Sequence, residues 1–171
     1  FLSFIQKFSL MNALIRKAEK KDSLAILNLI KELALFEKEP ESVKLKLSDI
    51  ENDGFGTKPL FECIVAEINK RIIGMAIYYP RYSTWNGPTI HLEDLIVSEQ
   101  YKGKGIGTQL YSNFIKMALN SGVKRVEWNV LDWNSPAINF YKKSGAKVLD
   151  DWRSVQMHRS EMKKYLKNKE H

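Results

Sequence analysis

Residues 91–108 constrain this chain more than any other stretch: His-Leu-Glu-Asp-Leu-Ile-Val-Ser-Glu-Gln-Tyr-Lys-Gly-Lys-Gly-Ile-Gly-Thr. They begin as a strand and end at the mouth of a helix. Leu92, Leu95, Ile96 and Val97 supply the apolar, partly β-branched content of a buried strand. Gly103, Gly105 and Gly107 interrupt it. Ile106, Leu110, Phe114 and Met117 then recur at helical spacing and form one apolar face. A glycine turn that opens a helix gathers unpaired backbone N–H groups at the positive end of the helix dipole, which suits a phosphate. A P-loop would need Ser or Thr after Gly103-Lys104, and Gly105 stands there. A dinucleotide fingerprint would need a third glycine where Thr108 stands. A plain helix start is the other reading of the same residues.

The surrounding chain reads as alternating strands and helices. Residues 13–18 form a first strand. Asp22 or Ser23 caps a helix whose Leu27, Ile30, Leu33 and Ala34 share a face, and Pro40 ends it near 36–39. A short helix at 48–53 stops at Gly54. Strands at 61–68 and 71–79 form a hairpin around Asn69-Lys70, and Pro80 closes the second. Residues 82–88 read as a loop carrying the exposed Trp85, followed by a strand at 89–97. The long helix stops at Ser121-Gly122, and a strand at 123–130 returns parallel to 89–97. Asn134 or Ser135 caps another helix with Pro136 in its first turn and Gly145 as its stop. Two more strands are expected at 146–149 and 152–158, then a polar, partly helical tail at 159–170. The expected class is α/β with a mixed central sheet and flanking helices. Residues 13–166 read as one domain, with 167–171 a polar tail. Residues 1–12, ahead of or around Met11, read as a leader or an expression remnant.

Charge narrows the possible partners. The net charge is +7, but residues 1–21 hold five basic groups against one acidic and 153–171 hold six against two. The middle of the chain is therefore near neutral, which argues against a nucleic-acid partner and leaves room for a cationic substrate. No apolar run approaches the ~20 residues that span a bilayer, so no membrane partner is expected. Cys63 is the single cysteine. It cannot form an intrachain disulfide, which suits a reducing, cytoplasmic compartment. It lies in an apolar run and reads as a core residue. The three histidines lack partners at ligand spacing, so no metal is expected.

Gln100, Gly103 and Gly105, spaced Gln-x-x-Gly-x-Gly directly after a strand, resemble the acetyl-CoA loop of the GNAT N-acetyltransferases. The segment Asn139-Phe140-Tyr141-Lys142-Lys143-Ser144-Gly145-Ala146 and the turn Trp133-Asn134-Ser135-Pro136-Ala137 are similar to further segments of that superfamily. The resemblance covers about 15–166. It implies the GNAT fold, with two parallel strands splayed apart, and acetyl-CoA as co-substrate. The implied cofactor contacts are Leu95, Ile96, Val97, Gln100, Gly103, Lys104, Gly105, Ile106, Gly107 and Thr108. Asn134, Ser135, Pro136, Ala137 and Tyr141 complete them. The backbone N–H of Leu95 would steady the developing oxyanion. Tyr141 would be the acid, since a phenol with pKa near 10 keeps its proton at neutral pH and can give it to a departing thiolate.

Glu93 is the candidate base. A carboxylate in an otherwise apolar strand is costly to bury without a partner. Glu93 and Asp94 are adjacent, so their side chains should point to opposite faces of the sheet. An ammonium with pKa near 10.4 is too weak an acid for a carboxylate to strip outright. Glu93 would attract the cation and relay its proton through water; the bland alternative is a salt-bridge residue.

A finer resemblance is spread along the chain. Leu29-Ile30-Lys31-Glu32-Leu33-Ala34 with Phe36-Glu37, Asp53-Gly54-Phe55-Gly56, Tyr78-Tyr79, Trp85 and Leu92-Glu93-Asp94 are similar to the spermidine/spermine (diamine) and thialysine acetyltransferase family. This implies a homodimer and a small cationic amine as acceptor. The implied acceptor contacts are Phe36, Glu37, Glu93, Glu127, Trp128, Asn129 and Asp150 or Asp151. The departures, Phe36 where the family has Tyr and a different residue type at Glu127, fall on the acceptor side. The competing functions are acetylation of a protein lysine or N-terminal amine and, in another class, acetyl-CoA binding without catalysis. A covalent route through Cys63 is disfavoured by its place in an apolar strand.

Overall fold

A computed structural model of the chain describes residues 12–169, in two compact units divided between Asn129 and Val130. The expected leader, apart from Asn12, and the last two residues of the tail lie outside the described residues.

The first unit is a five-stranded sheet in sequence order: β1 Leu14–Lys17, β2 Glu62–Ile68, β3 Arg71–Ser83, β4 Gly87–Val97 and β5 Arg125–Glu127. β1 to β4 are antiparallel neighbours, and β5 lies parallel to β4. The sheet is mixed, as expected. Helices α1 (Ser23–Phe36) and α2 (Leu47–Phe55) serve one face, and α3 (Ile106–Asn120) serves the other.

Strand alternation explains the two layers of core. Ile64, Ala66, Ile73, Ala76, Tyr78, Ile90 and Leu92 meet Ile106, Leu110 and Phe114 of α3. Cys63, Val65, Met75, Ile77 and Ile96 meet Ile26, Leu27 and Leu29 of α1 and Ile50 of α2. Each fully buried Leu, Ile or Phe contributes roughly 2 kcal/mol, so these layers hold the sheet edge that the glycine turn extends.

Several boundaries differ from the sequence reading. β3 runs through Pro80, and 82–88 is a long hairpin rather than a loop, with its turn at 84–86. Pro80 pairs with Ile90 beyond Tyr78↔Glu62, where β2 has ended. A missing N–H costs little on a strand that has only one neighbour. Asn69 and Lys70 both take positive φ, 50° and 62°, as a two-residue hairpin turn of the primed type requires. Gly54 lies inside α2, its missing side chain leaving room for the Phe61 ring, and the helix ends at Phe55. β5 keeps only 125–127 of the expected 123–130.

The second unit holds α4 (Ser135–Lys143) and α5 (Arg159–Lys167). The strands expected at 146–149 and 152–158 are not formed: both segments are irregular. Both segments carry apolar residues, but a strand needs a hydrogen-bonded neighbour, and among the described residues neither segment has one. Leu149, Trp152, Val155 and Met157 are exposed as a result.

Candidate active site

The site grows from an irregularity in β4. Its pairing with β3 slips between Ile77 and Tyr78, so that Asp94 faces Ile77 while Leu92 faces Tyr78. Glu93 is the extra residue of a β-bulge. The bulge resets the alternation: Ile90 and Leu92 face α3, and so do Leu95 and Val97 beyond it. The remaining side chains, His91, Asp94 and Ile96, therefore lie on the α1 side, and Glu93 joins them. The expectation that Glu93 and Asp94 point to opposite faces is thereby overturned, because one inserted residue cancels one step of alternation.

Two carboxylates of β4 thus gather beside a third. Asp94 lines a cavity of about 200 Å³ with Ile30, Leu33, Ala34 and Glu37 of the α1 region. Burial, then Glu93, then Glu37 push the Asp94 carboxyl up to about 7. Burial also raises Glu37. Glu93 is half exposed, and the Tyr79 hydroxyl donates to its Oε2 at 2.8 Å. Burial foremost, and then that bond, raise the Tyr79 phenol to about 12. The cavity walls are mixed, with Glu37, Glu39 and Asp94 set among Ile30, Leu33, Ala34 and Val43, which favours a cation on an aliphatic stem. Asp94 was not among the expected site residues, yet it lines this cavity. Its signal, a second carboxylate in an apolar strand, was legible, but the bulge that turns it toward α1 was not.

The loop after β4 is braced from α1. Glu32 accepts from the Ser98 hydroxyl at 3.0 Å and from the Glu99 backbone N–H at 2.7 Å. Lys102 sets its ammonium 4.5 Å from the Phe36 ring centroid. Phe36, expected as an acceptor wall, therefore has a lysine of this chain over its ring. Glu32 was also missed, since it reads as one more charge on the outer face of a helix.

Gly103 and Gly105 take φ of 72° and 80°, a conformation that costs an L side chain ~1–2 kcal/mol. Gly105 is the N-cap of α3, and no side chain caps that end. The N–H groups of Ile106, Gly107 and Thr108 open the helix, ahead of Gln109, whose N–H bonds Gly105 O. Lys104 Nζ donates to Gln100 O at 2.9 Å and lies 5.1 Å from the Tyr101 ring. The β4–β5 ladder stops at His91↔Glu127, so 92–97 continue past their parallel neighbour. An uncapped helix start after two left-handed glycines fits a pyrophosphate. A strand edge released by its neighbour fits an amide-bearing arm.

The expected contacts on and after β5 scatter. Glu127 is held by Arg81 and by Arg125 Nη2 at 2.6 Å, which leaves it committed within the chain. Trp128 packs toward the α3 layer and meets the Tyr111 ring edge-on at 5.9 Å. Asn129 is exposed.

In the second unit Asn134 caps α4 by accepting the Ala137 N–H at 3.3 Å, with Ser135 and Pro136 in its first turn. Tyr141 lies half-buried on α4 beside Phe140, ring centroids 5.4 Å apart. Its carbonyl accepts from the Ser144 hydroxyl and the Ala146 N–H, which closes the helix at Gly145. Asp150 and Asp151 are exposed in the irregular segment. Cys63 is buried on β2, and burial pushes its thiol up to about 12, which denies it the thiolate that a covalent carrier needs. Among the described residues no group of three or more His, Cys, Asp or Glu could hold a metal ion, and no helix is long and apolar enough to cross a membrane.

A mixed sheet with a bulged fourth strand, a parallel neighbour that stops short and a glycine turn opening a helix is the α/β arrangement of an acetyltransferase. The chain belongs to the Acetyltransferase (GNAT) family, whose sequence profile matches residues 25–146, and it is an acetyltransferase. It is 41% identical over 145 residues to the thialysine N-epsilon-acetyltransferase of Mus musculus, covering 80% of this chain and 85% of that one. It is 36% identical over 158 residues to the spermidine/spermine N(1)-acetyltransferase-like protein 1 of Homo sapiens, covering 86% of this chain and 23% of that longer one. Among solved structures, an integron cassette protein from the mobile metagenome of V. cholerae shares the fold. Its TM-score is 0.74 at 23% identity, over 92% of this chain and 99% of that one.

Proposed function

We propose that this protein transfers the acetyl group of acetyl-CoA directly to the primary amine of a small cationic acceptor of the diamine, polyamine or thialysine class. The observation that carries the reading is the pair of carboxylates Glu37 and Asp94 lining one cavity, with Glu93 close enough to act on Asp94. The names of the relatives support it from outside. The acetyltransferase domain is taken as 13–166, since the family match crosses the division at 129/130.

Acetyl-CoA supplies the acyl group as an activated thioester. Ile106, Gly107 and Thr108 offer backbone N–H groups to its pyrophosphate, and Gly103 and Gly105 let the chain approach closely. Leu95 and Val97 would offer backbone groups along the free edge of β4, with Ile96 between them, and the Leu95 N–H would be the donor to the thioester carbonyl oxygen. Asp94 and Glu37 draw the acceptor's ammonium, and Glu93 relays its proton through water. Tyr141 holds a phenolic proton for the leaving thiolate. A homodimer is part of the proposal, supported by the exposed Trp152, Val155, Met157 and Leu166. The cytoplasm suits a protein with a single, reduced cysteine.

Thiol release from acetyl-CoA tests the reading against thialysine, spermidine, spermine, putrescine, lysine and a lysine peptide. Turnover on at least one small amine, tenfold or more above the peptide, is expected. The reverse order favours protein acetylation. No turnover with tight acetyl-CoA binding favours a binding protein.

A further inference from the structure

His91 is the group that this mechanism leaves unused. Its side chain is 10% exposed and sits between two carboxylates: Nε2 lies 3.6 Å from Glu93 Oε2 and Nδ1 lies 3.8 Å from Glu127 Oε1. Among the described residues Nδ1 has no hydrogen-bond partner. A buried polar nitrogen without a partner costs stability, and a fold carries that cost at sites of function. The Tyr79 ring stacks on the imidazole at a centroid distance of 5.2 Å and 27°, while its hydroxyl holds Glu93. The charged groups around the ring are Glu93 along β4, with Asp94 beyond it, Arg81 on β3, and Arg125 and Glu127 on β5.

We infer that His91 is the proton store of the acetyl-transfer reaction, receiving from Glu93 the proton that the acceptor amine gives up. The inference rests on the reading of Glu93 as the group that takes that proton. The N–H bond of the ammonium breaks as an O–H bond forms on the relaying water, whose own O–H breaks as one forms on Glu93. That O–H then breaks as an N–H bond forms at His91 Nε2, which restores the Glu93 carboxylate and leaves an imidazolium. Nδ1–H faces Glu127, so the new positive charge lies between two carboxylates. Both separations are within ~1 Å of hydrogen-bond length, and the imidazolium draws both sides in. After product leaves, the proton returns from Nε2 through Glu93 to water. Imidazole suits the task because one ring nitrogen can accept a proton while the other donates. Arg81 and Arg125 hold the Glu127 carboxylate in place beside the ring, so it serves His91 rather than the acceptor.

The test uses the full chain with acetyl-CoA and its best small amine. His91→Gln keeps a buried polar group but cannot store the proton. It should lower kcat at least tenfold while the amine KM stays within twofold, since Asp94 and Glu37 remain. Free imidazole should restore a large part of kcat to His91→Ala. Unchanged kcat in His91→Gln overturns the inference, and so does a loss in His91→Ala that imidazole leaves untouched. Glu127→Gln keeps the histidine and tests the same claim should the His91 variants not fold: kcat should fall at least threefold at the same KM, and no change overturns it. Glu93→Gln separates the two readings. If it is inactive while His91→Gln is unaffected, only the store falls; if it retains turnover, the reading of Glu93 falls with it.

Discussion

Asp94→Asn should make this protein more stable in alkaline than in acid solution, relative to the wild type. Burial and two neighbouring carboxylates raise Asp94 from the ordinary 3.8 to about 7. Between those values the folded chain binds more protons at this position than the unfolded chain does. The free energy of unfolding therefore falls as pH rises across that window and is level above it. At ~1.4 kcal/mol for each tenfold change in proton affinity, the ionised side chain costs on the order of 4 kcal/mol at pH 8. At pH 4.5 the cost is only about 1 kcal/mol. Asparagine removes the charge and keeps the shape. For a chain of this size ~1 kcal/mol moves Tm by ~2–4 °C, so the variant should melt ~8–16 °C higher at pH 8 and only ~2–4 °C higher at pH 4.5. Thermal melts of both proteins at the two pH values, without ligands, give the difference directly. An equal shift at both values, or a lower Tm for the variant at pH 8, would refute the reasoning.

Three further expectations concern the cofactor side and the acid. Gly105→Ala places a side chain at φ 80°; it should cost ~1–2 kcal/mol of stability and weaken acetyl-CoA binding at least tenfold by calorimetry, whereas unchanged affinity would detach the turn from the cofactor. Tyr141→Phe should lower kcat by ~100-fold with the fold intact by circular dichroism, and turnover within threefold would remove the phenol from the mechanism. Cys63, buried with its thiol pushed up to about 12, should resist thiol reagents until the chain unfolds. Cys63→Ala should keep kcat within twofold, and a loss beyond tenfold would restore the covalent route.

What could be read from the sequence was local. The strand, the glycine turn and the spacing of Ile106, Leu110 and Phe114 each follow from neighbours in the chain, and the structure carries all three. What escaped depends on partners far away in sequence. Pro80 reads as a strand end until β2 is seen to stop at Glu62. Glu93 and Asp94 read as opposite-facing until the slip at Ile77/Tyr78 turns both toward α1. Glu127 has no evident ion-pair partner in the sequence until Arg81 and Arg125 are brought to it by β3 and β5. Residues 146–149 and 152–158 have the apolar residues of strands without a neighbour to pair with. Glu32, which braces the loop after β4, bonds to residues 66 and 67 positions away, and a single helix face gives no hint of such a bond.

The central claim is that the acceptor's positive charge is received by the carboxylates around Asp94. The pH dependence of the acceptor KM measures this most directly, taken from pH 6 to 9 with acetyl-CoA saturating. As Asp94 ionises through about 7, the pocket gains a negative charge while the amine, with a pKa near ~10, stays protonated. The acceptor KM should fall roughly tenfold across this range in the wild type and stay flat in Asp94→Asn. A KM independent of pH in the wild type, or the same fall in both proteins, would contradict it.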